Sequence, residues 1–334
     1  MPNILLVDDD TRNISTAIEL GFEGMNVSRE GQGGMTIQQI QTVTGWRGKY
    51  KGELSLRAID WDGTNSLGAI HMTNDIQYMA EYFYSLCTSE NYVQYDKKCM
   101  FAPPINFKKG SDEYEACDNA IASVSSYLTS NNPQIYSERE GLFNIRLSRH
   151  PSVCGDQDTR DETAKFVVAH YKELKILSVL HLMHKKQSGA KLSEHARKYL
   201  QSNSLQSLLS APNNTLELIF GPAKRQKALL KMYLSADNNH RICIASHGTE
   251  PKIMRMLLVE LARKNGRRKD VEKIRAMLHN GLIKCDAKSV STVGRHGTTN
   301  KYGYEGKTDQ ILKTVDSFQA APAAKVRKPG TSNC

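Results

Sequence analysis

Glu53-Leu54-Ser55-Leu56-Arg57-Ala58-Ile59-Asp60-Trp61-Asp62-Gly63-Thr64 is an apolar run that stops at two carboxylates and a glycine. Residues 54–59 predict a strand ending at Asp60, with Arg57 as the one residue that cuts against it. Two other stretches are built the same way. Upstream, Ile4-Leu5-Leu6-Val7 predicts a strand over 3–7 that runs into Asp8-Asp9-Asp10. Downstream, Arg241-Ile242-Cys243-Ile244-Ala245 predicts a strand over 241–245 that runs into Ser246-His247-Gly248-Thr249. Short apolar runs ending in polar residues and separated by helical patterns predict an α/β fold with a buried parallel sheet. In such sheets ligands bind beyond the carboxyl ends of the strands, where these acids stand.

Around these runs the pattern is helical. Ile14, Ala17, Ile18 and Leu20 share one side of a helix over 11–20, with Gly21 as its stop. Ile37, Ile40 and Val43 mark a short amphipathic segment after the glycine-rich Gly31-Gln32-Gly33-Gly34. From about 75 to 238 helices are expected at 112–129, 160–186, 193–209 and 222–235, punctuated by prolines. The segment 160–186 is apolar around much of its circumference and predicts a buried helix of a bundle. Helices at 250–264, 268–279 and 307–317 and a strand near 282–285 follow. The tail over 319–334, rich in small and basic residues, is expected to be disordered.

The 334 residues suffice for about two domains. No apolar run is long enough to span a bilayer, and the amino-terminal residues lack the pattern of a signal peptide. Seven scattered cysteines without a C-x-x-C point to a reduced, cytoplasmic setting and away from a zinc site. The net charge of +10 and pI near 9.1 favour a phosphorylated substrate, nucleic acid or anionic lipid, without choosing among them. A cluster such as Arg267-Arg268-Lys269 also fits a plain solvated surface.

The chemistry concentrates at the strand ends. Asp60 and Asp62, two residues apart on a loop, can both face one pocket. One suits nucleophilic attack on phosphorus and the other suits protonation of the leaving oxygen. Gly63 permits the sharp turn between them. The same residues also suit an Asx turn with solvated acids. Asp8 and Asp9 form a hard-oxygen pair fit for Mg²⁺, while Asp10 fits a helix N-cap. Ser246, with the backbone N–H groups that follow it, can hold phosphate at a helix start or simply cap that helix. His247 beside it fits a structural histidine. Lys307, in Gly306-Lys307-Thr308, can offset phosphoryl charge or be a solvated helix-start lysine, and Lys301 competes with it.

Together these four pieces resemble the haloacid-dehalogenase-like superfamily of phosphatases. Its first motif, D-x-D-x-T after a strand, matches Asp60, Asp62 and Thr64. Its second matches Ser246, its third Lys307, and its fourth, an acidic pair continuing to N-[IV], matches Asp8, Asp9, Asn13 and Ile14. The resemblance implies a Rossmann-like parallel core over 1–64 and 240–318, with a large, mainly helical cap inserted at 65–239. It implies a Mg²⁺-dependent phosphatase with Asp60 as nucleophile and Asp62 as acid and base. Thr64, Ser246, His247 and Gly248 would lie at the substrate, and Asp60, Asp62 (through its carbonyl) and Asp8 or Asp9 at the metal. The fourth motif stands first here, so the order is circularly permuted. Permutation requires strand 3–7 to lie beside strand 54–59.

Two other readings compete. Residues 1–130 also resemble a receiver-like signalling domain that accepts a phosphoryl group on Asp60, with Lys108 or Lys109 as its lysine and a helical output module. A basic protein binding nucleic acid or anionic lipid is supported by charge alone.

Overall fold

The computed structural model describes residues 3–28, 33–50, 52–67, 78, 92–95, 98–101, 108–131, 136–137, 142–143, 164–246, 249 and 251–287. The expected helix at 307–317, the tail over 319–334, and His247, Gly248, Lys301 and Lys307 lie outside these residues.

Five strands make one all-parallel sheet. In chain order they are β1 (Asn3–Asp8), β2 (Glu23–Asn26), β3 (Ser55–Asp60), β8 (His240–Ser246) and β9 (Ile283–Ala287). Across the sheet the order is β2-β1-β3-β8-β9. Between β3 and β8 stand two small antiparallel pairs: β4 (Tyr92–Tyr95) with β5 (Lys98–Phe101), and β6 (Tyr136–Ser137) with β7 (Leu142–Phe143). The fold is therefore α/β, consistent with a Rossmann-like core. Strand 3–7 does lie beside strand 54–59: Leu6 pairs with Ala58 and Val7 with Ile59. On its other side β3 pairs with β8, Asp60 opposite Ala245.

The helices are α1 (Thr11–Glu19), α2 (Ile37–Gly45), α3 (Asp112–Asn131), α4 (Tyr171–Gln187), α5 (Glu194–Ser202), α6 (Leu205–Ser210), α7 (Thr215–Phe220), α8 (Ala223–Leu234), α9 (Pro251–Asn265) and α10 (Arg268–His279). Among the described residues none is long and apolar enough to cross a membrane. The two faces of the sheet are unequal. Leu6 and Ala58 pack with Ile14 and Ala17 of α1. Leu5, Val7, Ile59, Ile242 and Ile244 point the other way, into the main core. Alternation along a strand causes this division.

Departures from the sequence reading have local causes. The edge strand β2 has no apolar run. Its Gly24 lets α1 approach, since a Cβ there would stand 2.8 Å from Ile14 Cγ2. The helix expected over 193–209 breaks at Asn203-Ser204, where the Ser204 hydroxyl accepts from Ser207 N and starts a second helix. Within 160–186 a helical turn ends at His170 before α4 begins. Arg57 stays inside its strand because both terminal nitrogens of its guanidinium find acceptors, although its buried Nε has none. It donates to Ser235 Oγ at 2.8 Å and to the carbonyls of His240 and Val43 at 3.3 and 3.4 Å. Burial, reinforced by the nearby Arg47 charge, lowers its pKa to about 10.

The receiver-like reading covers residues 1–130. That segment supplies three strands of the sheet, and the remaining two come from 240–246 and 283–287. Helix α8, read as part of the insertion, packs against α2 and α9.

Candidate functional site

Adjacent parallel strands bring their carboxyl ends together, so the residues after β1, β3 and β8 meet by topology alone. Oxygens of Asp8, Asp9 and Asp60 lie within 4.8 Å of one another. Asp8 and Asp60 are buried, at 1% and 5% exposure, and Asp9 is half-buried. Asp8 is held rigidly: Asp10 N donates to its Oδ1 at 2.8 Å and Asn13 Nδ2 to its Oδ2 at 3.0 Å. Asp10 is the helix cap, accepting from Arg12 N at 3.0 Å. The three acids thus divide the work, Asp10 closing α1 while Asp8 and Asp9 face β3.

The chain after Asp60 turns tightly. Gly63 has φ of +77°, a conformation that L side chains rarely adopt. A Cβ there would also stand 2.5 Å from Asp9 Oδ2. Glycine is therefore required twice, by the turn and by the close approach of Asp9. Trp61 anchors the turn. Its ring is wholly buried and meets Phe220 edge to face at 5.7 Å, and its carbonyl accepts from Ser66 N and Ser66 Oγ at 2.9 and 2.8 Å.

Asp62 is tied to β8 through one of its carboxylate oxygens. Ser246 Oγ donates to Asp62 Oδ2 at 2.9 Å and accepts from Thr249 N at 2.8 Å. Thr64 is wholly buried, and its carbonyl takes the bonds: Met35 N donates to it at 2.7 Å. Of the residues singled out in the sequence, Asp8, Asp9, Asp60, Asp62, Thr64 and Ser246 come together. His247, Gly248 and Lys307 lie outside the described residues.

Sequence reasoning missed Arg225. It sits in the first turn of α8, 6% exposed, and reaches three segments at once. Its Nε donates to Met35 O at 2.8 Å, its Nη1 to Phe220 O at 2.8 Å, and its Nη2 to Asn65 O at 3.0 Å and Thr64 O at 3.4 Å. Burial lowers its pKa to about 10, so it remains charged at neutral pH. Gly34 N donates to Gly63 O at 2.9 Å, closing the same cradle. The signal in the sequence was an arginine at the apolar position of α8, four and seven residues before Leu229 and Met232.

The donor set fits a hard divalent cation. An octahedral ion with bonds of about 2.1 Å places neighbouring oxygens about 3.0 Å apart and opposite ones about 4.2 Å apart. The carboxylate oxygens of Asp8, Asp9 and Asp60, all within 4.8 Å of one another, stand near that spacing. Two carboxylates this close repel by roughly 3–4 kcal/mol at an effective dielectric of about 20, which a bound cation reverses. Comparison with known proteins finds no matching family model, no matching curated protein and no matching solved structure.

Proposed function

We propose that the protein is a Mg²⁺-dependent phosphatase acting through an aspartyl-phosphate on Asp60, with a haloacid-dehalogenase-like core in permuted order. The observation that carries the reading is the convergence of Asp8, Asp9 and Asp60 within 4.8 Å, with Asp62 tied to Ser246 on the neighbouring strand. These groups come from three separate parts of the chain.

A carboxylate oxygen of Asp60 attacks phosphorus in line as the bond to the leaving oxygen breaks. Asp62 gives that oxygen its proton. Asp62 then takes a proton from water, which attacks phosphorus, freeing inorganic phosphate and restoring Asp60. Asp8 and Asp9, with Asp60, would hold the cation. Mg²⁺ there would offset the negative charge gathered on the phosphoryl oxygens, and Lys307 is proposed to add to this. Arg225 and the Gly34-Met35 segment keep the turn that carries Asp60 and Asp62 in one shape.

The test is hydrolysis of an aryl phosphate with Mg²⁺ and with chelator. Turnover is expected with metal, none with chelator, and none in Asp60→Asn of unchanged melting temperature. Substantial activity in that variant overturns the nucleophile assignment. A second reading keeps Asp60 as phospho-acceptor but makes the protein a switch. It is favoured by the doubly wound strand order with acids after β1 and β3. A switch would hold the phosphoryl group without multiple turnovers.

A further inference from the structure

The positive charge is unevenly placed. Residues 223–279 contain 14 Lys and Arg against 5 Asp and Glu, a net of +9 out of the chain's +10. Helices α8, α9 and α10 pack on one another in this stretch. On α8, Lys224, Lys227 and Lys231 are exposed and spaced i, i+3, i+7, so they line one face, and the helix has no acidic residue. On α10, Arg268, Lys269, Lys273 and Arg275 are exposed. Lys273 Nζ donates to Leu234 O at 3.0 Å, which brings α10 to the carboxyl end of α8, while Arg268 pairs with Glu272 at 3.3 Å. The other end of α8 abuts the acidic site, because Arg225 bonds the Asn65 carbonyl.

We propose that the faces of α8 and α10 form a binding surface for the phosphodiester backbone of a nucleic acid. The α8 stripe covers about 10 Å at 1.5 Å per residue, a length over which a duplex presents about six phosphates. The large hydrophobics exposed among the described residues are Ile18, Leu20 and Tyr50, none on these helices. Among the described residues of α8 and α10 no exposed large hydrophobic side chain is present to insert into a bilayer or to stack on a base. The surface therefore reads charge and not sequence.

Fluorescence anisotropy with a labelled 20-base-pair DNA duplex tests this, using the full chain at several salt concentrations. Binding is expected to weaken linearly in log–log with salt. Replacing Lys224, Lys227 and Lys231 by Ser should flatten the slope by roughly 3, about one per lost phosphate contact. Circular dichroism verifies that the triple variant folds. No duplex binding at low salt overturns the proposal. So does an unchanged slope in the variant, or capture by anionic vesicles without duplex binding. The measurement needs no turnover, so a failure of the phosphatase reading leaves its outcome intact.

Discussion

Replacing Gly63 by Ala should separate the cost of a backbone conformation from the cost of losing a ligand. At φ of +77° an alanine is strained by about 1–2 kcal/mol. Its methyl would also stand 2.5 Å from Asp9 Oδ2, which must retreat by about 0.9 Å to reach the 3.4 Å where ordinary contact begins. A cation that demands bonds of about 2.1 Å loses that ligand. Removing partners that merely orient ligands already costs about 10- to 100-fold in affinity, so at least this much is expected, about 1.4–2.7 kcal/mol. Gly281→Ala is the control: its φ is +71°, and an added Cβ meets nothing within 4 Å. Gly281→Ala should lose the strain alone by thermal melting and Gly63→Ala at least as much, while only Gly63→Ala should lose Mg²⁺ affinity by titration calorimetry. Equal affinities in the two variants, or no Mg²⁺ binding by the wild type, would refute the reasoning.

Other outcomes follow from the bonds around the turn. Arg225→Met leaves the carbonyls of Met35, Asn65 and Phe220 without its guanidinium, which should cost about 2–4 kcal/mol. It should also speed amide hydrogen exchange at Met35 and Ser66 more than in β9, and uniform exchange would contradict the cradle. Ser246→Ala removes the donor to Asp62 and the acceptor for Thr249 N. It should lower kcat about tenfold or more while Ser246→Thr retains most of it; equal loss in both variants would show that the hydroxyl is not what matters.

Much of the core was legible because its strands are buried on both faces and so read as continuous apolar runs. Ile4–Val7 and Ile242–Ala245 are of this kind. Edge strand β2 was hidden because Glu23-Gly24-Met25-Asn26 carries no such run; its place is secured by pairing with β1. The hairpin of β4 and β5 lay within a stretch whose composition is helical. Asp8, Asp9 and Asp60 were legible because acids directly after apolar strands have few structural uses. That Asp62 turns to Ser246 and that Gly63 makes room for Asp9 depend on distances between strands that no local pattern encodes. Arg225 was overlooked for a different reason: its place on the apolar side of α8 marks burial, but a guanidinium bonded to backbone carbonyls leaves no partner residue type in the sequence.

The most direct measurement is a crystal structure of the protein with Mg²⁺ and trifluoroberyllate, a mimic of a phosphoryl group on carboxylate oxygen. The account predicts beryllium bonded to Asp60 and a single ion bridging Asp60 to Asp8 or Asp9. An ion bound away from these carboxylates, or an adduct on any residue other than Asp60, would contradict it.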